Sequence, residues 1–177
     1  MNENLDLINA MCYDFHGSWN RETGAIASLF DPKSNVNTLY GLQSWIQAGA
    51  LPSKLVMGMP LYGRTWQLQD PNVHGIGAPT IGVGPGDGAM AFFQVEQFNT
   101  NSGATVVYDV DTVSVYSYSG TSWIGYEDPI TVTAKVGFAQ ALGLRGYFFW
   151  AVGYDSQWKI SKQGTLLQSI SRISTNN

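Results

Sequence analysis

A single cysteine, Cys12, excludes an internal disulfide framework and a cysteine-based zinc site. It lies in an apolar run, as a small buried hydrophobe does. Charge is scarce as well. Only 12 % of the 177 residues are Asp, Glu, Lys or Arg, about half the usual share of a soluble domain. Nine basic residues stand against 13 acidic ones, a formal net charge of −4, and no Lys/Arg cluster occurs. That excludes a nucleic-acid partner and an anionic membrane surface. No window holds the roughly 18 apolar residues of a membrane span. Met1–Asp6 is polar and acidic, without the basic and apolar regions of a signal peptide. There is no Asn-x-Ser/Thr acceptor. What the chain does have is 44 % hydrophobic residues, enough for a real core, with 6 Trp, 9 Tyr and 20 Gly. Low charge with many flat rings fits a secreted-type surface or a sugar-binding groove.

Hydrophobic patterning divides the chain into two kinds of segment. Residues 5–13 and 54–59 read as apolar strands buried on both faces, with a helix over 38–48 between them. This is a βαβ pattern, and parallel strands follow from it. Residues 14–35 form a loop punctuated by Gly and Pro. The Gly/Pro-rich stretch 65–86 reads as loop, 89–98 as a short helix, and 104–109, 112–118 and 122–126 as antiparallel strands. A helix then opens after Asp128-Pro129 and runs to about Leu142. A third buried strand covers 145–151, and an amphipathic helix covers 166–173. The fold class is α/β: residues 1–64 and 127–177 form one part, and 65–126 an inserted α+β unit. Alternating parallel strands and helices suit a barrel or an open doubly wound sheet. The 62 inserted residues leave 115 for the α/β part, whereas a full (β/α)8 barrel takes roughly 200–250. Only about three barrel strands fit.

Ligands in such folds meet the carboxyl ends of the strands. Three ends carry suitable groups: Met11, Tyr13, Asp14 and His16; Tyr62 and Arg64; and Trp150. Aromatic faces stack on sugar rings, while Tyr, Asp and Arg hydrogen-bond their substituents.

The stretches MCYDFHGSW (11–19), SKLVMGMPLYGRTW (53–66), GIGAPTIGVGPGDG (75–88) and LRGYFFWAVGYDSQW (144–158) resemble, in order, the C-terminal portion of plant-type (class V) chitinases of glycoside hydrolase family 18. The resemblance implies a partial TIM barrel, its last three strands, with the family's small α+β domain inserted at 65–126. It implies chitin or a chito-oligosaccharide as partner, and the missing N-terminal portion of the barrel as another. No cofactor is implied, and an extracellular or vacuolar setting is. Residue by residue, it makes Tyr13 a binder of the substrate N-acetyl group and puts Asp14 near the leaving-group side with Met11 packed below. Arg64 becomes a groove side chain and Trp150 the floor under the sugar. Trp19 and Trp66 are either groove platforms or packing residues.

The family's D-x-x-D-x-D-x-E motif, whose Glu protonates the glycosidic oxygen, does not occur in the sequence. Asp109-Val-Asp111-Thr-Val113 imitates it only in part and reads as a solvated turn. No catalytic residue is therefore assigned, and the chain alone is expected to hydrolyse nothing. A lectin-like binding remnant, or a fragment without independent function, are the alternatives. Glu127-Asp128 reads as a helix cap and Glu96 as solvated. His16 and His74 lack a metal-ligand spacing, so no metal site is expected. The glycines of 75–86 lack the Lys-Ser/Thr of a phosphate loop.

Overall fold

The computed structural model describes residues 4–163. In chain order the elements are β1 (Ile8–Ala10), α1 (Thr38–Gln47), β2 (Leu55–Pro60), β3 (Tyr62–Leu68), β4 (Thr80–Val83), β5 (Ala89–Ala91), α2 (Phe92–Ser102), β6 (Thr105–Asp109), β7 (Ser114–Ser119), β8 (Ser122–Tyr126), α3 (Pro129–Ala141) and β9 (Gly146–Trp150). The helix expected over 166–173 lies outside the described residues.

Two sheets result. One is parallel, in the order β1-β2-β9. The other is antiparallel, in the order β4-β3-β8-β7-β6, with β5 also paired to β3. The chain passes between them at Leu61, which is wholly buried. Its amide donates to the Trp150 carbonyl (2.8 Å) and its carbonyl accepts from the Phe92 amide (2.9 Å). The antiparallel sheet therefore starts at Tyr62, three residues before the expected boundary, and Arg64 stands on it. The stretch expected to be loop over 65–86 keeps β3 going to Leu68 and adds the short edge strand β4. Its glycine and proline content hides the Thr80-Ile-Gly-Val83 alternation. The first strand is shorter than the apolar run 5–13, because the chain leaves the ladder at Met11.

Period-two alternation sorts the parallel sheet. Ala10, Cys12, Met57, Met59, Tyr147 and Phe149 turn to one face and pack with Leu42 of α1 and Val132, Val136 and Ala139 of α3. Burial pushes the Cys12 thiol up to about 11, so it behaves as the small hydrophobe expected. The caps are ordinary chemistry. Asn37 Oδ1 accepts from the Tyr40 amide (2.9 Å). Asp128 Oδ1 accepts from Ile130 (2.9 Å) and Thr131 (2.8 Å), with Pro129 at the first helical position.

Glu127 does something the sequence did not announce. It is fully buried and paired with Lys135, one α3 residue that faces inward. The Lys135 ammonium also donates to the Ala27 carbonyl (2.5 Å), which ties the 14–35 loop to α3. Burial raises the Glu127 carboxyl above its ordinary value even with the lysine beside it. Removing one partner strands the other charge. Lys135→Met should cost about 3–5 kcal/mol by denaturant unfolding, and adding Glu127→Leu should recover most of that loss.

Candidate functional site

The site forms where the carboxyl ends of the parallel strands meet β3 and β5. A cavity of about 540 Å³ lies there, lined by Met11, Tyr13, Asp14, Arg64 and Trp150 among others. Met11 follows β1 and is 73 % exposed; Trp150 ends β9 and is 57 % exposed, its ring free for contact. Five of the seven residues singled out from the sequence thus share one cavity.

The central contact is bidentate. Arg64 Nε donates to Asp14 Oδ1 (2.9 Å) and Nη2 to Oδ2 (2.8 Å). Asp14 reaches this position with a left-handed backbone, φ 60, which Asp tolerates better than most residues. The guanidinium lies over two rings, 5.2 Å from the Trp19 centroid and 5.4 Å from that of Tyr62. Its partnership with Asp14 raises the Arg64 pKa further, so the cation is permanent. Trp19 is 60 % exposed and reaches the site as the lid on Arg64. Trp66 does not reach it. It has no exposed surface and packs edge-on against Trp123, centroids 5.2 Å apart. Of the two roles open to Trp66, packing is the one its position matches, and the groove role is corrected: at two residues past Arg64, its indole fills the core of the antiparallel sheet.

Tyr13 stands edge-on to Tyr62 (6.2 Å) and to Phe148 (6.5 Å). Burial first, then the Asp14 charge, raises the Tyr13 pKa above 10.0. Burial also raises that of Tyr62, followed by its hydrogen bond with Asp14 and the Asp14 charge. Both hydroxyls remain donors through the neutral range. The ring of Tyr13 has room because position 58 has no side chain. A Cβ at Gly58 would sit 2.8 Å from Tyr13 Cε1, 2.7 Å from Phe148 Cζ and 2.8 Å from the Ala10 carbonyl oxygen.

Tyr62, placed with Arg64 at the second strand end but given no role, also lines the cavity, as do Met90, Gln94 and Tyr154, which were not singled out. Tyr62 was detectable, since i and i+2 on a strand share a face with Arg64. Met90 and Gln94 were not. They arrive through the pairing of β5 with β3, Gly63 opposite Met90, in a stretch that reads as helix. Other residues weighed from the sequence lie outside the cavity lining. Asp109 Oδ1 accepts from the Thr112 amide and hydroxyl, closing the turn that imitates the acid motif. Glu96 is paired with Lys159 rather than simply solvated. His74 stacks on Tyr118, centroids 3.9 Å apart. Among the described residues, no group of three or more His, Cys, Asp and Glu is arranged to hold a metal.

Comparison with known proteins fits this geometry. Residues 1–155 match glycosyl hydrolases family 18. The chain belongs to that family. It is 64 % identical over 163 residues to Nod factor hydrolase protein 1 of Medicago truncatula, covering 91 % of this chain and 42 % of that protein. It is 61 % identical over 167 residues to the class V chitinase CHIT5b of the same plant, covering 93 % and 44 %. Among solved structures, a GH18 chitinase from Cycas revoluta in complex with (GlcNAc)3 superposes with a TM-score of 0.88 at 44 % identity, over 92 % of this chain and 46 % of that one. The chain spans a little under half the length of these relatives.

One substitution tests how the site is held. Gly58→Ala pushes its methyl against the backbone of β1, which cannot yield as a flexible side chain would. A loss of about 1–3 kcal/mol in thermal unfolding is expected, with Tyr13 displaced from the cavity.

Proposed function

We propose that this chain forms the acetamido-binding part of a chito-oligosaccharide site in a family 18 glycosidase, its parallel strands being the last three of a (β/α)8 barrel. The observation that carries the reading is the convergence of Tyr13, Asp14, Arg64 and Trp150 on one open cavity. That set suits β-1,4-linked N-acetylglucosamine. The exposed Trp150 ring offers a platform for the apolar face of a sugar. The Tyr13 hydroxyl donates to the acetamido carbonyl oxygen. Asp14 gives one lone pair of each oxygen to Arg64 and keeps others for an N–H or O–H of the sugar.

The reaction this arrangement serves is retaining and substrate-assisted. The acetamido oxygen attacks the anomeric carbon as the glycosidic C–O bond breaks, and the leaving oxygen takes a proton from a carboxylic acid. Tyr13 and Asp14 would orient the attacking group. The proton donor is not among these residues, because the D-x-x-D-x-D-x-E pattern is absent from the sequence. Binding without turnover is the activity proposed for the chain by itself.

The same reading accounts for the outer face of the parallel sheet. Leu7 and Asn9 are exposed on the side of β1 away from the buried Ile8 and Ala10, and β1 and β9 each have one strand neighbour. The remaining strands of the barrel would cover that face and supply the acid.

The test is a titration of the chain with chito-oligosaccharide, followed by tryptophan fluorescence, beside an assay with a fluorogenic chito-oligosaccharide. Saturable quenching without turnover is expected, unchanged between about pH 7 and 9 because the Tyr13 hydroxyl stays protonated. Trp150→Ala should abolish the response. Tyr13→Phe should weaken binding about 2- to 10-fold, the value of one hydrogen bond. No response at millimolar sugar overturns the binding role. Turnover that Tyr13→Phe removes overturns the division of labour.

A further inference from the structure

We infer that the sugar groove continues beyond the cavity along the outer face of α2, where it forms a further subsite for the outer sugars of a longer oligosaccharide. This rests on the sugar-binding reading above and extends it. A second trough, of about 430 Å³, is lined by Met90, Gln94, Gln97, Phe98, Asn101 and Ser102. Met90 and Gln94 line both the trough and the cavity, so the two adjoin.

The trough has the chemistry of a neutral polyol site. Gln94, Gln97 and Asn101 recur at three and four along α2, which puts their amides in one row. The row spans about 10 Å of helix axis, longer than a single sugar ring. Gln94 Oε1 is occupied by the Ala91 amide (2.8 Å), which leaves its NH2 group to point outward. Among the described residues, the side chains of Gln97 and Asn101 have no hydrogen-bond partner and both residues are exposed. Met90 and the half-buried Phe98 supply apolar surface between the amides. No charged residue lines the trough, and Glu96, next to it on α2, is neutralised by Lys159. Side-chain amides donate and accept at once, as hydroxyl and acetamido groups require. An ionic ligand would find no counter-charge.

The experiment is calorimetric titration of the chain and of the double variant Gln97→Ala/Asn101→Ala with chito-triose and chito-hexaose. Both positions are exposed, so circular dichroism should be unchanged. The variant should bind the hexaose roughly tenfold more weakly, the effect of about two lost hydrogen bonds, and the triose as before. Equal hexaose affinity in chain and variant overturns the subsite and leaves the main site standing. Equal weakening for both sugars also overturns it, since the row would then act on the central site. If the unaltered chain binds neither sugar, the sugar-binding reading itself fails and the subsite with it.

Discussion

The bidentate pair between Asp14 and Arg64 joins the two sheets at the wall of the cavity. Asp14 follows a strand of the parallel sheet, and Arg64 sits on the antiparallel one. Each half of the pair is fixed by its own surroundings: Asp14 by a left-handed backbone, Arg64 by the rings of Trp19 and Tyr62. Two parallel N–H···O bonds tolerate little rotation, so the pair sets the angle of the cavity walls as well as their separation. A lysine at position 64 would keep the charge and lose both the fork geometry and the stacking.

Glu127 and Lys135 form a pair of the opposite kind. The Asp14–Arg64 pair is partly exposed and faces the cavity. The Glu127–Lys135 pair is sealed beneath α3 and touches no ligand surface. Its desolvation is costly, and apolar residues could fill the same volume. What it adds is direction. The ammonium must meet both the carboxylate and the Ala27 carbonyl, so it fixes how the 14–35 loop lies on α3. That loop carries Asp14 and Trp19. The buried pair thus bears on the exposed one through the backbone between them.

Much of this was legible in the sequence. The apolar runs gave the three parallel strands and the two helices packed behind them, because burial on both faces leaves an unbroken hydrophobic signature. Tyr13, Asp14, Arg64 and Trp150 could be named because each stands where an apolar run stops. The rest depended on pairings between distant residues. Met90 and Gln94 enter the site only because β5 adds to β3, and three residues of strand joined to a helix look like helix in one dimension. Trp66 and Trp19 are both tryptophans near the same motifs, yet one is core and the other lies on the guanidinium. Strand parity puts Tyr62, Arg64 and Trp66 on one face, and Trp123, opposite Trp66 in register, buries the last of the three. Glu127 could pass for a cap because its neighbour Asp128 is one.

The composition of the cavity bears on what chemistry it can support. A general acid for glycoside cleavage is a carboxyl kept neutral at working pH, by an apolar site or by a second carboxylate. Asp14 is committed to another task, since the Arg64 guanidinium grips both of its oxygens. Glu127 is the carboxyl with a raised pKa, but it is walled off from the cavity by α3 and the 14–35 loop. The groups that do face the cavity are Tyr and Arg donors and an open indole ring. Such groups suit the binding role proposed above, and the Tyr13, Tyr62 and Arg64 side chains hold their protonation state across the neutral range. None of these is the carboxylic acid that protonates a leaving glycosidic oxygen. Under the proposed function, orientation and proton transfer therefore fall to different parts of the fold, and this cavity takes the first.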